Sequence, residues 1–396
     1  MNHYKTQTFL SQPAIGTDPD DCTSVLPPVH RASTVFLPTL AKLKSVDWRN
    51  RSDPLYGREG SRIAYELEAR LAGIEGARQA LLVSSGLAAY ALTCMALLSP
   101  GDVIAIPTNG YGTAQQMLRN MLQRFGIEIA LYDPMAPDTW AESIPRSTRL
   151  LWVEAPGSVT MEVPDLRRLV GLANELGGIA ALDNTYSAGL HLRPFELGFH
   201  VSIQALTKFQ SGGADVVMGS VASVREDICR SLHETRHFLG MHVSPDDIYL
   251  VLRGLPTLGL RYTANTEASL RLAKWFSEKK EIAAVMHPAF ARSEGHAYWK
   301  QYFTASTSLF SIAFRSSVEA EKTEAFLETL TLFHFGFSWG GPASLVMLYD
   351  KEGAPARQFA NAHPDAGCIV RFWLGLEDGA DLETDIFNAW SSVFDA

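Results

Sequence analysis

Short apolar runs alternate with longer helical patterns through the middle of this chain, and that alternation limits the fold more than any other feature. The runs are 80–83, 103–106, 127–131, 150–153, 179–182 and 216–218. Helical spacing fills several of the gaps, as at 87–98 and 114–125, and at 165–176, which opens on Asp165. Ser61 stands where a helix cap is wanted, before Ile63, Leu67, Leu71 and Ile74 at helical intervals. Strands separated by helices of this length require right-handed crossovers and a mostly parallel sheet covered on both faces. The expected fold class is therefore α/β, a mostly parallel central sheet with helices on both faces, over residues 58–250. Before it, residues 1–57 carry Pro13, Pro19, Pro27, Pro28 and Pro38 and read as an extended arm. After it, 251–396 reads as a smaller α+β domain. A long helical stretch over 246–280 leads into strands near 308–314 and 369–374.

A chain of 396 residues has room for two or three domains and a large core without metal or disulfide support. Its balance of 34 basic against 43 acidic residues gives a net charge of −9, with no concentrated Lys/Arg tract. Such a balance argues against nucleic acid and anionic membrane surfaces as partners. Cys22, Cys94, Cys229 and Cys368 lie far apart without C-x-x-C or metal-ligand spacing, as expected of reduced thiols with no metal site. With no signal-like N-terminus and no run long enough to span a bilayer, the expectation is a soluble cytoplasmic protein.

Four places carry candidate chemistry, and each has an ordinary structural reading beside it. The turn Ser84-Ser85-Gly86-Leu87 enters a helix and could present backbone N–H groups to a phosphate, or be a plain strand-to-helix turn. Asp183 ends an apolar strand, where ligands of open α/β sheets bind; it could face a cationic ring nitrogen or merely cap a turn. Lys208 is the only lysine between Lys44 and Lys274, in a chain that otherwise favours arginine. An amine retained at the end of an apolar segment suits Schiff-base chemistry, though a lysine reaching out from a strand end would look the same. Arg371, in an apolar strand, needs an anion: a substrate carboxylate or a buried acid of the protein. Together, a phosphate turn, an Asp, a Lys two dozen residues later and a distant Arg meet the needs of pyridoxal phosphate.

On these residues the chain resembles the Cys/Met-metabolism family of fold-type I pyridoxal phosphate enzymes. The likeness also rests on 29–35, Tyr56-Gly57-Arg58, Tyr111, Glu154-Ala155-Pro156-Gly157-Ser158, Asp183-Asn184-Thr185, Thr207-Lys208, Ser338-Trp339-Gly340-Gly341 and Gly375-Leu376-Glu377-Asp378. The resemblance implies that Lys208 binds the cofactor covalently, Asp183 pairs with its ring nitrogen and Tyr111 stacks on the ring. Gly86, Leu87 and Thr207 would hold the phosphate, with Tyr56 and Arg58 of a neighbouring subunit. A catalytic dimer follows from that, commonly paired into a homotetramer. Arg371 would bind the substrate carboxylate, with Ser338 and Trp339 shaping the pocket and Lys208, Tyr111 and Tyr56 acting in catalysis.

Trp339, and Phe337 where the γ-enzymes carry Glu, point to the β-lyase branch. The implied reaction is α,β-elimination on an amino-acid thioether, L-cystathionine, giving pyruvate, ammonia and the methionine precursor L-homocysteine. A γ-elimination or γ-replacement enzyme, or a cystine or cysteine-conjugate C–S lyase, is the alternative. Phe337, His237 and Gly213-Ala214 depart from the residues usual at those places and bear on which thioether is accepted.

Overall fold

The computed structural model describes residues 5–12, 25–49 and 54–395. Two sheets organise it. The first contains β1 (Gln79–Val83), β2 (Val103–Pro107), β3 (Glu128–Tyr132), β4 (Thr148–Glu154), β5 (Ile179–Asp183), β6 (Val201–Ala205) and β7 (Gly219–Ser223). Their spatial order is β1-β7-β6-β5-β4-β2-β3, and β7 alone runs antiparallel to its neighbours. The second contains β8 (Ile282–Met286), β9 (Leu309–Arg315), β10 (His334–Phe335), β11 (Leu345–Tyr349) and β12 (Ala366–Trp373), in the order β10-β11-β12-β9-β8. The expected α/β fold is present, with helices on both faces of a mostly parallel sheet.

The apolar runs are continuous because successive side chains point to opposite faces and both faces are covered. Leu82, Leu151, Val153, Ala180 and Leu182 pack into one core with the helices Arg62–Glu75 and Leu166–Glu175. Their neighbours Leu81, Val83, Leu150, Trp152, Ile179 and Ala181 pack into another with the helices Gly86–Leu97 and Glu226–Phe238. The second sheet divides likewise. Phe310, Ile312, Phe314 and Phe372 face Phe276, Phe326 and Trp390, whereas Leu309, Ala313, Ile369 and Trp373 join the first core. This shared core presses the loops of the second sheet against the strand ends of the first. Ser61 and Asp165 cap their helices as expected, through the amides of Ala64 and Arg168.

Several boundaries differ from the pattern. The run 216–218 precedes its strand: β7 is Gly-Ser-Val-Ala-Ser, small residues that fit against the start of the helix Gly86–Leu97 but carry little apolar signal. The stretch 246–280 is broken into Pro245–Gly254, a short turn at Leu255–Thr257, Leu258–Thr263 and Thr266–Phe276. Asn265 causes the last break; its φ is +57°, and its side-chain amide donates to the carbonyls of Gly375 and Glu377. The helix expected over 114–125 is regular only over Gly112–Met117 before it loosens.

The arm is not uniformly extended. It contains two short helices, Thr6–Ser11 and Leu40–Lys44, and Leu10 is fully buried. Arg70 holds it there by donating to the carbonyls of Leu10 and Gln12. Pro13, Pro19 and Cys22 lie outside the described residues. Among the described residues, no helix is long and apolar enough to cross a membrane.

Candidate active site

Strand ends of the first sheet and one loop of the second converge on a small cleft. Glu154 from the end of β4, Asp183 from the end of β5, the 155–159 loop, Trp339 and Arg371 line it. Burial here is costly for charge, so the partners of each ionisable group matter most.

Lys208 follows β6 by a tight turn, its amide donating to the Ala205 carbonyl. Its Nζ lies 2.5 Å from Ser338 Oγ and 5.1 Å from the centre of the Trp339 ring. Burial, then the nearby Arg371 charge, pull the amine down to about 8, against the opposing pull of Asp183. About a tenth of the amine is then neutral at pH 7, far more than for an ordinary lysine, which favours a nucleophilic role. Ser338 has a φ of +84°, uncommon for a residue with a Cβ. That conformation turns its hydroxyl to Lys208 while its carbonyl accepts from Arg371 Nη2 at 3.1 Å. Gly340, with φ +86°, passes so close that a Cβ there would meet the Lys208 backbone at 3.1 Å. A side chain at that position would push the loop away from the amine.

Arg371 sits on β12 between Val370 and Phe372, which face the apolar interior. It is 8% exposed, yet among the described residues no carboxylate pairs with it. Its contacts are the Ser338 carbonyl and the Tyr349 ring, 5.6 Å from the guanidinium carbon. The buried ion pair that the sequence left open is thus absent, and an anionic ligand is the natural partner.

Asp183 is also 8% exposed. It accepts the Thr185 amide at 2.9 Å and the Tyr90 hydroxyl at 2.9 Å, while burial raises its pKa against those bonds. Beside it stands Glu154, whose carboxyl is pushed far up by enclosure and by the Asp183 charge. Tyr90 and Glu154 had no role in the sequence reading. Glu154 opens the Glu154-Ala155-Pro156-Gly157-Ser158 segment of the family likeness, but Tyr90 is one apolar-helix residue among many and carries no local signal.

The remaining candidates are dispersed. Ser85 caps the helix Gly86–Leu97 through the Ala88 amide, and the amides of Gly86 and Leu87 find no acceptor among the described residues. A Cβ on Gly86 would sit 2.7 Å from Ala205 Cβ, so glycine lets this helix start press against β6. Thr207 Oγ1 is tied to the Met218 backbone, donating to its carbonyl and accepting its amide. Tyr111 is 44% exposed, with its amide 2.6 Å from Glu154 Oε2. Tyr56 and Arg58 make no described contact with Lys208, Asp183 or Arg371. Tyr56 pairs with Thr34, and Arg58 bonds to Glu59, which also contacts His237.

Lys208, Asp183 and the open helix start supply an amine, an anion and backbone donors, a donor set that fits pyridoxal phosphate. A family profile described as Cys/Met metabolism PLP-dependent enzyme matches residues 11–391. The chain belongs to this family. It is thus a pyridoxal-phosphate-dependent enzyme. Among its relatives, a cystathionine beta-lyase of Bordetella avium is 34% identical over 98% of this chain and 96% of its own. The cystathionine beta-lyase MetC of Escherichia coli is 32% identical over 92% and 93%. The fold is similar to a solved cystathionine gamma synthase of Xanthomonas oryzae pv. oryzae, with a TM-score of 0.89, 24% identity and 99% coverage of both chains.

Proposed function

We propose that this enzyme is a carbon–sulfur lyase that converts L-cystathionine and water into L-homocysteine, pyruvate and ammonia by α,β-elimination. The observation that carries the reading is the Lys208–Ser338–Arg371 linkage, in which one strained serine ties a low-pKa amine to an unpaired buried guanidinium. The relatives named as cystathionine beta-lyases support the substrate. Bound pyridoxal phosphate supplies an electron sink for charge developing at the substrate Cα.

Arg371 holds the substrate α-carboxylate by a bidentate fork, which fixes the Cα–H bond relative to Lys208. Lys208 Nζ would hold the cofactor and would take the Cα proton, with Ser338 Oγ 2.5 Å away to steer the amine. Asp183 keeps a negative charge toward the ring nitrogen. The free amides of Gly86 and Leu87, with Thr207, would hold the phosphate at the positive helix end. Tyr111 would cover the ring, and Lys208 or Tyr111 would return a proton to the departing sulfur. Trp339 narrows the pocket, and Phe337 offers no charge to the distal end of the substrate.

Residues 58–250 form the cofactor-binding domain, and 251–396 contribute the carboxylate anchor. In the single chain the arm leaves Phe36, Leu40 and Leu43 exposed, and such side chains are suited to a partner surface. A homodimer in which Tyr56 and Arg58 reach the neighbouring phosphate would give these two residues a role although neither makes a described contact with Lys208. Incubation with L-cystathionine tests the reaction. Pyruvate with homocysteine is the expected outcome, whereas 2-oxobutyrate with cysteine would identify γ-elimination instead.

A further inference from the structure

Two carboxyls of the cleft share one tyrosine, and a single hydroxyl proton cannot serve both. Tyr90 OH lies 2.9 Å from Asp183 Oδ2 and 3.3 Å from Glu154 Oε2. The shorter contact makes Asp183 the acceptor of the Tyr90 proton. The longer one then brings a Glu154 oxygen against a Tyr90 lone pair, which repels unless Glu154 itself carries a proton. Oε2 of Glu154 also accepts the Tyr111 amide at 2.6 Å, and an acid hydroxyl can accept there while donating to Tyr90. The Tyr90 ring cannot turn away: it is 3% exposed and stacked on Trp152, with centres 4.2 Å apart.

We propose that Glu154 and Tyr90 are positioning residues for Asp183: Glu154 is the neutral acid donating to Tyr90, Tyr90 donates to Asp183, and Asp183 keeps the negative charge. The inference rests on the reading of Asp183 as the partner of the cofactor's ring nitrogen. Its consequence is a fixed division of labour between two like groups, which cannot both ionise at close range in a poorly solvated wall. The groups around the pair agree with this order. Lys208 faces Asp183 and favours its charge, whereas Asp183 and Glu162 both disfavour charge on Glu154. Glu75 lies behind Asp183, fully enclosed and bonded to Ser202 and Asn184, and its own pKa is raised. Arg371 lines the same cleft, and its charge also acts on Lys208 and Tyr349. Glu154 also ties the backbone of Tyr111 to the same chain of bonds. The side chain proposed to cover the ring and the one proposed to face its nitrogen are thereby held by one acid.

Infrared spectroscopy of the holoenzyme tests the order directly, through the carbonyl band of a protonated carboxylic acid. Subtracting the spectrum of Glu154→Gln from that of wild type is expected to leave such a band, while subtracting that of Asp183→Asn leaves none. Glu75 and Glu162 are present in every sample and cancel. A band that disappears in Asp183→Asn and persists in Glu154→Gln would place the proton on the wrong partner and overturn the proposal. Tyr90→Phe gives a second readout that does not depend on either acid variant. It is expected to lower kcat about tenfold, the effect of one lost hydrogen bond to a charged group, with KM little changed. It should also move the pH profile of the bound cofactor's absorption. An unchanged profile and kcat in Tyr90→Phe would reject the relay. Failure of the underlying reading looks different: Asp183→Asn would then retain cofactor, absorption and kcat unchanged.

Discussion

The two sides of the cleft store opposite charges in opposite ways. At the ends of β4 and β5, Glu154 and Asp183 meet a tyrosine and backbone amides, and no basic side chain bonds to either among the described residues. On β12, Arg371 meets a carbonyl and an aromatic ring, and no acid. A chain selected for stability alone would let these charges neutralise one another, because an unpaired buried charge is expensive. Keeping them apart, with Lys208 and Ser338 between, leaves one place for a cationic group and another for an anionic one. A pyridinium nitrogen and an α-carboxylate have those two charges.

The largest expected effect comes from removing the group between the two sides. Lys208→Ala should lower kcat by about 10³-fold or more, since in the proposed mechanism it loses both the covalent anchor and the proton-transferring amine. Borohydride reduction followed by peptide mapping checks the anchor, and a pyridoxyl group found elsewhere than on Lys208 would refute it. Next, Asp183→Asn neutralises the acidic side. We expect about a 10²-fold fall in kcat and easier loss of cofactor, measured by steady-state kinetics and dialysis. Arg371→Lys keeps the charge of the basic side but not its fork. It should raise KM about tenfold with a smaller change in kcat, and an unchanged KM would contradict the carboxylate-anchor role.

The smallest effect concerns the setting of Lys208 itself. Its pKa is lowered to about 8, so the reactive neutral form grows as pH rises through that value. Covalent uptake of pyridoxal phosphate by the cofactor-free protein should accelerate with a midpoint near pH 8 and level off only above it. Arg371→Lys retains a cation and should leave this midpoint nearly in place, whereas Arg371→Met should raise it, because a charge that disfavours the ammonium is gone. Stopped-flow absorbance over a pH series distinguishes the two.

Much of the candidate site was legible along the chain because several of its residues sit at punctuation points. Asp183 ends a run of apolar residues, Lys208 follows one as the lone lysine of a long interval, and Ser85-Gly86 opens a helix. Local pattern reveals such positions. Tyr90 was invisible for the opposite reason: it lies inside an apolar helix, where an aromatic residue reads as core. The left-handed Ser338 was equally hidden, since the strain arises from what holds its two ends. β7 escaped notice because its small side chains are selected by a close neighbour, with Ser85 backbone within 2.3 Å of where a Gly219 Cβ would be. The arm's short helices and the break at Asn265 depend on distant partners in the same way.

The sequence by itself determined the alternation of strands and helices, the two-sided burial of the main sheet and the kinds of group available for chemistry. These follow from periodicity, capping and residue type, which act over a few residues. Tertiary structure alone decided which of those groups are charged and which face one another. Lys208 meets Ser338 across 130 positions of chain, and Tyr90 meets Asp183 across 93. The state of an ionisable group is set by the solvent it loses and the charges it gains, and both are properties of the folded surroundings.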